Sequence, residues 1–428
     1  MKTKRDIGNW VLMVAFHFPP QRGSSGSLRT LSFSRYLPEF GWKPIILTAH
    51  PWAYPDVEPE SVFQVSPAII VKRVLALDAA RHLSLNGRYF DCTAIPDRWG
   101  SWLLGAIPSA LAMIRKYKPR VLWSTYPIST AHVIGAILRR LTGIPWIADF
   151  RDPMVSYDAV KNEHWPREPG VRKARMWIER LVVKYSTRAV FVAPGALRVY
   201  AARFPHKPSH YWALIPNGYD EESFLAAETV AAMRTTPQEQ VFLLHSGGIY
   251  PGSGRDPSAF FSAIAELRDK GELSPTNFKM SLRGSGREAP QLRQLIFNYR
   301  LEELVFADAV IPYRNALAEM LQADGLVLFQ GHLVNTAIPA KLYEYLRARR
   351  PILALVDTAG DSAALLRSVG VGEIVPIHDK ECIMSGLRNF LTQIRLHSAP
   401  VAEMSQVTQF SRQSSTQDLA RLFDEVGQ

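Results

Sequence analysis

The chain has 428 residues, 47% hydrophobic and 21% charged, a length suited to two domains of about 200 residues each. This ordinary globular composition excludes a disordered, collagen-like or disulfide-scaffold protein. The net charge of +11 is compatible with nucleic acid, an anionic membrane surface or a phosphorylated substrate. Its placement is uneven: residues 1–215 hold 30 Lys+Arg against 14 Asp+Glu, net +16, and residues 216–428 hold 20 against 25, net −5. Two cysteines, Cys92 and Cys382, lack metal-ligand spacing, so the expectation is a reducing cytoplasm without a zinc site or disulfide framework.

In chain order, the apolar run at 10–18 follows Lys2, Lys4 and Arg5 and superficially imitates a signal peptide. It ends in Pro19-Pro20 without a cleavage site and reads as a buried first strand. Helical period follows at 28–40, then strands at 44–48 and 68–74, a helix at 99–116, a strand at 121–125, a helix at 129–141, a strand at 146–148, a helix at 171–185 and a strand at 189–193. No stretch reaches the roughly 18 apolar residues of a membrane-spanning helix. After turn residues at 214–220 the rhythm restarts: strands at 241–245, 278–283, 304–306, 325–329 and 352–356 alternate with helices at 257–270, 289–299, 316–322 and 340–348. A helical tail runs to 426. Alternation of this kind predicts α/β architecture: two doubly wound parallel-sheet domains, 1–215 and 216–403, facing across a cleft, with 404–428 packing back as a closing helix.

In such sheets ligands sit beyond the carboxyl ends of strands. The loop holding Gly23, Ser24, Ser25 and Gly26 occupies that place after the first strand; it is either an ordinary βα turn or an anion cradle at a helix N-terminus that Arg29 also faces. The strand at 146–148 ends in Asp149, Arg151 and Asp152. These could act as base, hydroxyl ligand or phosphate ligand, or could form an internal ion pair. In the second half, Gly247 and Gly248 open a glycine-rich turn that delivers Arg255, and Arg283-Gly284 follows another strand. Asn335, Thr336, Ala337 and Ile338 lead into a helix carrying Lys341 and Glu344. Lys341 and Glu344 read either as a solvated i,i+3 pair or as phosphate and ribose ligands, and three phosphate-suited loops on one sheet edge favour the second.

Taken together, Phe18-Pro19-Pro20 with its Gly/Ser loop, Ala148-Asp149-Phe150-Arg151-Asp152-Pro153, Ile215-Pro216-Asn217-Gly218-Tyr219-Asp220, Gly247-Gly248-Ile249-Tyr250 with Arg255-Asp256-Pro257, and Ala337–Leu346 resemble the retaining glycosyltransferases of family 4. The resemblance implies the GT-B fold of two facing Rossmann-like domains and transfer of a sugar from a nucleotide sugar, UDP-sugar favoured over GDP-sugar, to a glycan or polyprenyl-diphosphate-linked acceptor. It implies cell-surface polysaccharide or glycolipid synthesis with no cofactor, and metal independence is expected because no DxD motif stands at a suitable strand end. Glu344 matches the second glutamate of the E-x7-E motif, which holds the ribose; Thr336 replaces the first. Of the usual diphosphate Arg/Lys pair, one becomes Gly248 and the other Arg255, with Lys341 able to replace the lost cation. No counterpart of the usual active-site histidine is expected in the first domain.

By this reading Asp149, Arg151, Asp152, Arg255 and Lys341 carry catalysis. The donor lies against Gly23, Ser24, Ser25, Gly26, Gly247, Gly248, Arg255, Arg283, Gly284, Asn335, Thr336, Ala337, Ile338, Lys341 and Glu344. The basic first half meets the acceptor. Its densest part, 167–188, sets Arg172, Lys173, Arg175, Arg180, Lys184 and Arg188 beside Trp177, Ile178, Leu181 and Val182. It is either an ordinary surface helix or one that attaches the protein to the anionic inner face of a membrane. Nucleic acid is not expected, because no recognition motif accompanies the charge. Two rivals stay open: a sugar-nucleotide 2-epimerase of the same fold, and a noncatalytic nucleotide-sugar-binding module.

Overall fold

A computed structural model describes residues 8–22, 25–84, 91–158, 163–231, 240–249, 251, 254–331 and 334–427, with the backbone alone at 25, 63, 64, 91, 92, 158 and 287. The chain divides into two compact units, one of Met1–Pro216 with Arg412–Gln428 and one of Asn217–Ser411.

The first unit is built on seven strands: β1 (Asn9–Val14), β2 (Trp42–Ala49), β3 (Ile70–Val74), β4 (Val121–Thr125), β5 (Trp146–Arg151), β6 (Arg188–Phe191) and β7 (Trp212–Leu214), in the order β3-β2-β1-β4-β5-β6-β7. All neighbouring pairs are parallel. Helices α1 (Ser25–Tyr36), α2 (Trp102–Tyr117), α3 (Ser129–Thr142), α4 (Pro169–Tyr185) and α5 (Pro194–Arg203) make the crossovers. Alternate residues of β1 enter opposite cores. Leu12 and Val14 pack with Trp102, Ala106 and Ile134, whereas Val11 and Met13 pack with Leu31, Phe33, Leu419 and Phe423. Burial on both faces is why the strands read as continuous apolar runs rather than alternating ones.

The second unit has six parallel strands: β8 (Val241–Ser246), β9 (Phe278–Arg283), β10 (Val305–Asp308), β11 (Gly325–Gln330), β12 (Ile352–Val356) and β13 (Glu373–Pro376), in the order β10-β9-β8-β11-β12-β13. Its helices are α6 (Glu221–Ala231), α7 (Ser258–Asp269), α8 (Ala289–Asn298), α9 (Tyr313–Gln322), α10 (Ala340–Ala348), α11 (Asp361–Ser368) and α12 (Lys380–Arg395). The tail expected as one segment over 404–428 is divided. Phe410 lies against Tyr343 of α10, whereas α13 (Arg412–Val426) returns to the first unit, where Trp42 Nε1 donates to Asp424 at 2.9 Å and stacks edge-on against Phe423. The apolar stripe of α13, Leu419 and Phe423, completes the core beside α1, burial that its polar sequence alone does not locate.

One packing detail makes the first unit acid-sensitive. His132 of α3 is fully buried: its Nδ1 shares a hydrogen bond with the Ser124 hydroxyl at 2.7 Å, and that hydroxyl accepts from Trp146 Nε1 at 2.8 Å. Burial lowers the His132 pKa to about 3; burial and the nearby Arg151 charge lower that of His17 to about 4. Both are therefore neutral in the folded chain at pH values where the unfolded chain, titrating near 6.5, already binds protons. Their stabilisation is full above pH 6.5 and is lost as the pH falls toward 4, on the order of 3 kcal/mol for each. Urea midpoints at pH 7 and 4.5 test this, and His132→Gln should flatten part of the slope; an unchanged slope contradicts the assignment.

Candidate active site

At the carboxyl edge of the first sheet, β5 ends in an irregularity: the register to β6 shifts between Asp149 and Arg151, and Arg151 has φ of 61°. A side chain in this left-handed conformation is strained, and the shift re-aims the strand end. Asp149 is fully buried. Arg29 of α1 grips its carboxylate from Nε and Nη2 at 2.9 and 3.2 Å, and Thr125 of β4 donates at 3.1 Å. The same guanidinium donates to the carbonyls of Ile215 and Pro216, each at 3.0 Å. The Asp149–Arg29 pair thus ties together α1, β4, β5 and the chain after β7. Of the two readings the sequence leaves open for this strand end, the geometry has the form of the internal ion pair, with the hydrogen bonds of Asp149 and Arg29 directed into the scaffold.

Arg151 is also buried and donates to the Tyr126 carbonyl at 3.2 Å. Beside it, burial raises the Asp152 carboxyl above the ordinary range, opposed by Arg151, the arrangement of a candidate proton acceptor. His17, just past β1, shares a crevice with Phe16, Gly26, Thr125, Tyr126, Pro127 and Ile128. Tyr126 is held from the other side by Arg175 of α4, whose Nη1 donates to its hydroxyl at 2.9 Å. Gly23 and Ser24 lie outside the described residues; Ser25 begins α1. His17 is a residue the sequence reading missed. Its signal is its position directly after the first strand.

In the second unit the edge is formed by β8, β9, β11 and the start of α10. Gly247, with φ of 110°, follows β8, and a Cβ there would lie 2.5 Å from Lys341 Nζ. The lysine thus lies under the glycine turn, donating to His245 Nε2 at 3.1 Å, while His245 Nδ1 donates to the Val327 carbonyl at 2.7 Å. Burial, reinforced by Arg255, holds Lys341 well below its ordinary value; burial and Lys341 do the same to His245. Arg255 reaches toward the Gly248 carbonyl at 3.5 Å, and Glu344 accepts from Tyr313 of α9 at 2.7 Å. Gly247, Lys341, Arg255 and Glu344 therefore meet at the N-terminus of α10, a place suited to a phosphate beside a polyol.

Other expected donor residues make contacts within the second unit. Arg283 is clamped by Glu319 at 2.7 and 2.6 Å and also donates to the Ala309 carbonyl at 3.0 Å, bracing β9 against α9. Gly284 stands 3.7 Å from Gly247 in the measure of an added Cβ. Asn335 donates to Asp357 at 2.6 Å, and its carbonyl accepts from the Asp361 amide at 3.0 Å. Ala337 closes a turn onto Val334 at 3.0 Å and its carbonyl accepts from Gln330 at 2.6 Å; Ile338 is buried, and Thr336 stays half-exposed in the same loop.

Residues 25–218 match the family model described as the glycosyl transferase 4-like domain. Sucrose-phosphate synthase from Thermosynechococcus elongatus is similar over 97% of this chain and 98% of its own, with a TM-score of 0.69 at 15% identity. HepE of Anabaena, in complex with UDP-glucose, covers 97% of this chain and 99% of its own, at 0.65 and 12%. The chain has the GT-B fold. The UDP-GlcNAc 2-epimerase from Neisseria meningitidis, bound to UDP-GlcNAc, is more distant, with a TM-score of 0.55 at 11% identity over 97% of this chain and 100% of its own. No curated protein sequence matches.

On this GT-B framework, α4 distributes its basic residues unequally. Ile178 and Val182 enter the core, Arg172 donates to the carbonyls of Pro166 and Arg167, Arg175 holds Tyr126, and Arg188, just beyond the helix, faces Glu425 at 3.7 Å. Lys173, Met176, Trp177, Arg180 and Lys184 remain exposed. Among the described residues no helix is long and apolar enough to cross a membrane, and no group of three metal-ligating side chains assembles.

Proposed function

We propose that the protein is a retaining glycosyltransferase that moves a sugar from a nucleotide sugar, with UDP-sugars favoured, to a glycan or polyprenyl-diphosphate-linked acceptor in cell-surface polysaccharide or glycolipid synthesis. The observation that carries the reading is the meeting of Lys341, Arg255, the Gly247 turn and Glu344 at one helix N-terminus. The glycosyl transferase 4-like match over residues 25–218 supports it. The bond from the anomeric carbon to the diphosphate breaks and one to the acceptor oxygen forms. Negative charge grows on the leaving diphosphate, where Lys341 and Arg255 stabilise it more than in the ground state. Glu344, oriented by Tyr313, takes ribose hydroxyls. The leaving phosphate accepts the acceptor's proton in a front-face attack, with Asp152 of the first unit the alternative acceptor.

UDP-, GDP- and ADP-sugars distinguish the donors by thermal unfolding. A ligand at 100 times its Kd adds roughly 2.7 kcal/mol, a gain that Glu344→Ala should abolish; stabilisation that survives this substitution removes the proposed site. The transfer is metal-independent in this reading, so turnover is expected to persist in EDTA. The epimerase reading draws on the neisserial likeness and predicts a new sugar nucleotide from donor incubated alone. Thr336 at the position of the family's first glutamate keeps the noncatalytic module in view, which predicts binding without turnover.

The same proposal places the protein in the cytoplasm, attached peripherally to the inner membrane face through the exposed residues of α4. Vesicles containing anionic lipid should retain it at low salt, and charge reversal at Lys173, Arg180 and Lys184 should release it. Equal retention by neutral vesicles contradicts an electrostatic attachment.

A further inference from the structure

We propose that His245 is a positioning residue for Lys341, and that the two form a proton-coupled anion receptor: the pair takes up a proton from solvent when a diphosphate binds. The proposal rests on the nucleotide-sugar reading of the second unit and specifies how its buried cation is held.

The geometry assigns the protons. His245 lies in β8, fully buried against Phe329, with ring centroids 5.2 Å apart. Its Nδ1 is 2.7 Å from the Val327 carbonyl, an acceptor only, so Nδ1 carries the ring proton. Nε2 is then left with a lone pair, and Lys341 Nζ stands 3.1 Å from it. One N–H of the lysine is thereby fixed by the sheet core. In the ammonium form two further N–H donors remain for phosphate oxygens. In the neutral form the amine still donates to Nε2 but has one donor fewer and no charge to offer.

The surroundings disfavour the ammonium without a ligand. Lys341 faces His245 from β8, Arg255 from the loop after β8 and Glu344 on its own helix; of these only Glu344, already hydrogen-bonded to Tyr313, favours the charge. Gly247, which has no Cβ, leaves the room that Nζ occupies, since a Cβ there would lie 2.5 Å from it. A diphosphate adds negative charge beside Arg255 and Nζ, which favours protonation. Binding and proton uptake are therefore linked, and the bound proton resides on Nζ, since His245 Nε2 is the acceptor of the lysine hydrogen bond.

Isothermal titration calorimetry of the full chain with UDP, in two buffers of different ionisation enthalpy at pH 8, measures the protons taken up. Between zero and one is expected for wild type, and none for Lys341→Met. His245→Gln can donate its amide to Val327 and accept from Nζ, so affinity should stay within about threefold; His245→Leu, which packs without an acceptor, should weaken UDP at least tenfold and alter the proton count. Unfolding midpoints of both variants show whether the core survives. If wild type binds UDP with identical enthalpy in the two buffers, or His245→Leu folds and binds like wild type, the proposal falls while the nucleotide reading stands. Absence of UDP, GDP and ADP binding by folded wild type overturns both.

Discussion

Asp149→Ala is expected to destabilise the first unit by about 3–5 kcal/mol, because it leaves the Arg29 guanidinium buried without its carboxylate. The carboxylate receives two donors from Arg29 and one from Thr125, and Arg29 continues to the carbonyls of Ile215 and Pro216. A catalytic aspartate would give another pattern, a loss of turnover with little change in unfolding. That pattern is expected instead for Asp152→Asn, with stability within about 1 kcal/mol and turnover reduced on the order of 100-fold or more if Asp152 moves a proton. Urea midpoints together with turnover separate the two. Replacing both partners, Arg29→Met with Asp149→Leu, should recover much of the stability, since a buried pair exchanged for apolar groups is often neutral. A single Asp149→Ala variant with an unchanged midpoint contradicts the role of a strut.

Gly247→Ala is expected to weaken UDP at least tenfold, about 1.4 kcal/mol. Two effects add: φ of 110° disfavours any L side chain, and the new Cβ would come 2.5 Å from Lys341 Nζ. Gly284→Ala is the matched control. Its φ is 91°, but its Cβ would meet nothing closer than Gly247 Cα and N at 3.7 Å, so it bears backbone strain without displacing the lysine. Equal loss of affinity in both variants would assign the effect to backbone strain rather than to displacement of Lys341.

Much of the architecture was legible because it rests on local patterns. Buried parallel strands read as short apolar runs, glycine turns follow them, and the Lys341/Glu344 spacing places both side chains at the start of one helix. Less legible were the partners. Asp149 and Arg29 are 120 residues apart, His245 and Lys341 96 residues apart, and no periodicity joins such residues. His245 reads as one more member of an apolar strand, and His17 as the end of another. Arg283 has the same local setting as Arg255, after a strand and beside glycine, and nothing in that setting announces that Glu319 clamps it.

The sequence by itself determined two α/β units, the uneven charge that makes the first half basic, and the strand ends where ligands belong, since these follow from composition and side-chain period. Tertiary structure alone decided which charged residues brace the scaffold and which face outward. It joined the final helix to the first unit, directed Asp149 onto Arg29, and placed Lys341 between a glycine turn and a buried histidine. The physical reason is that burial and pairing are set by neighbours distant in sequence. A charge that is merely present in composition gains its chemical role from the groups that desolvate it and satisfy its hydrogen bonds.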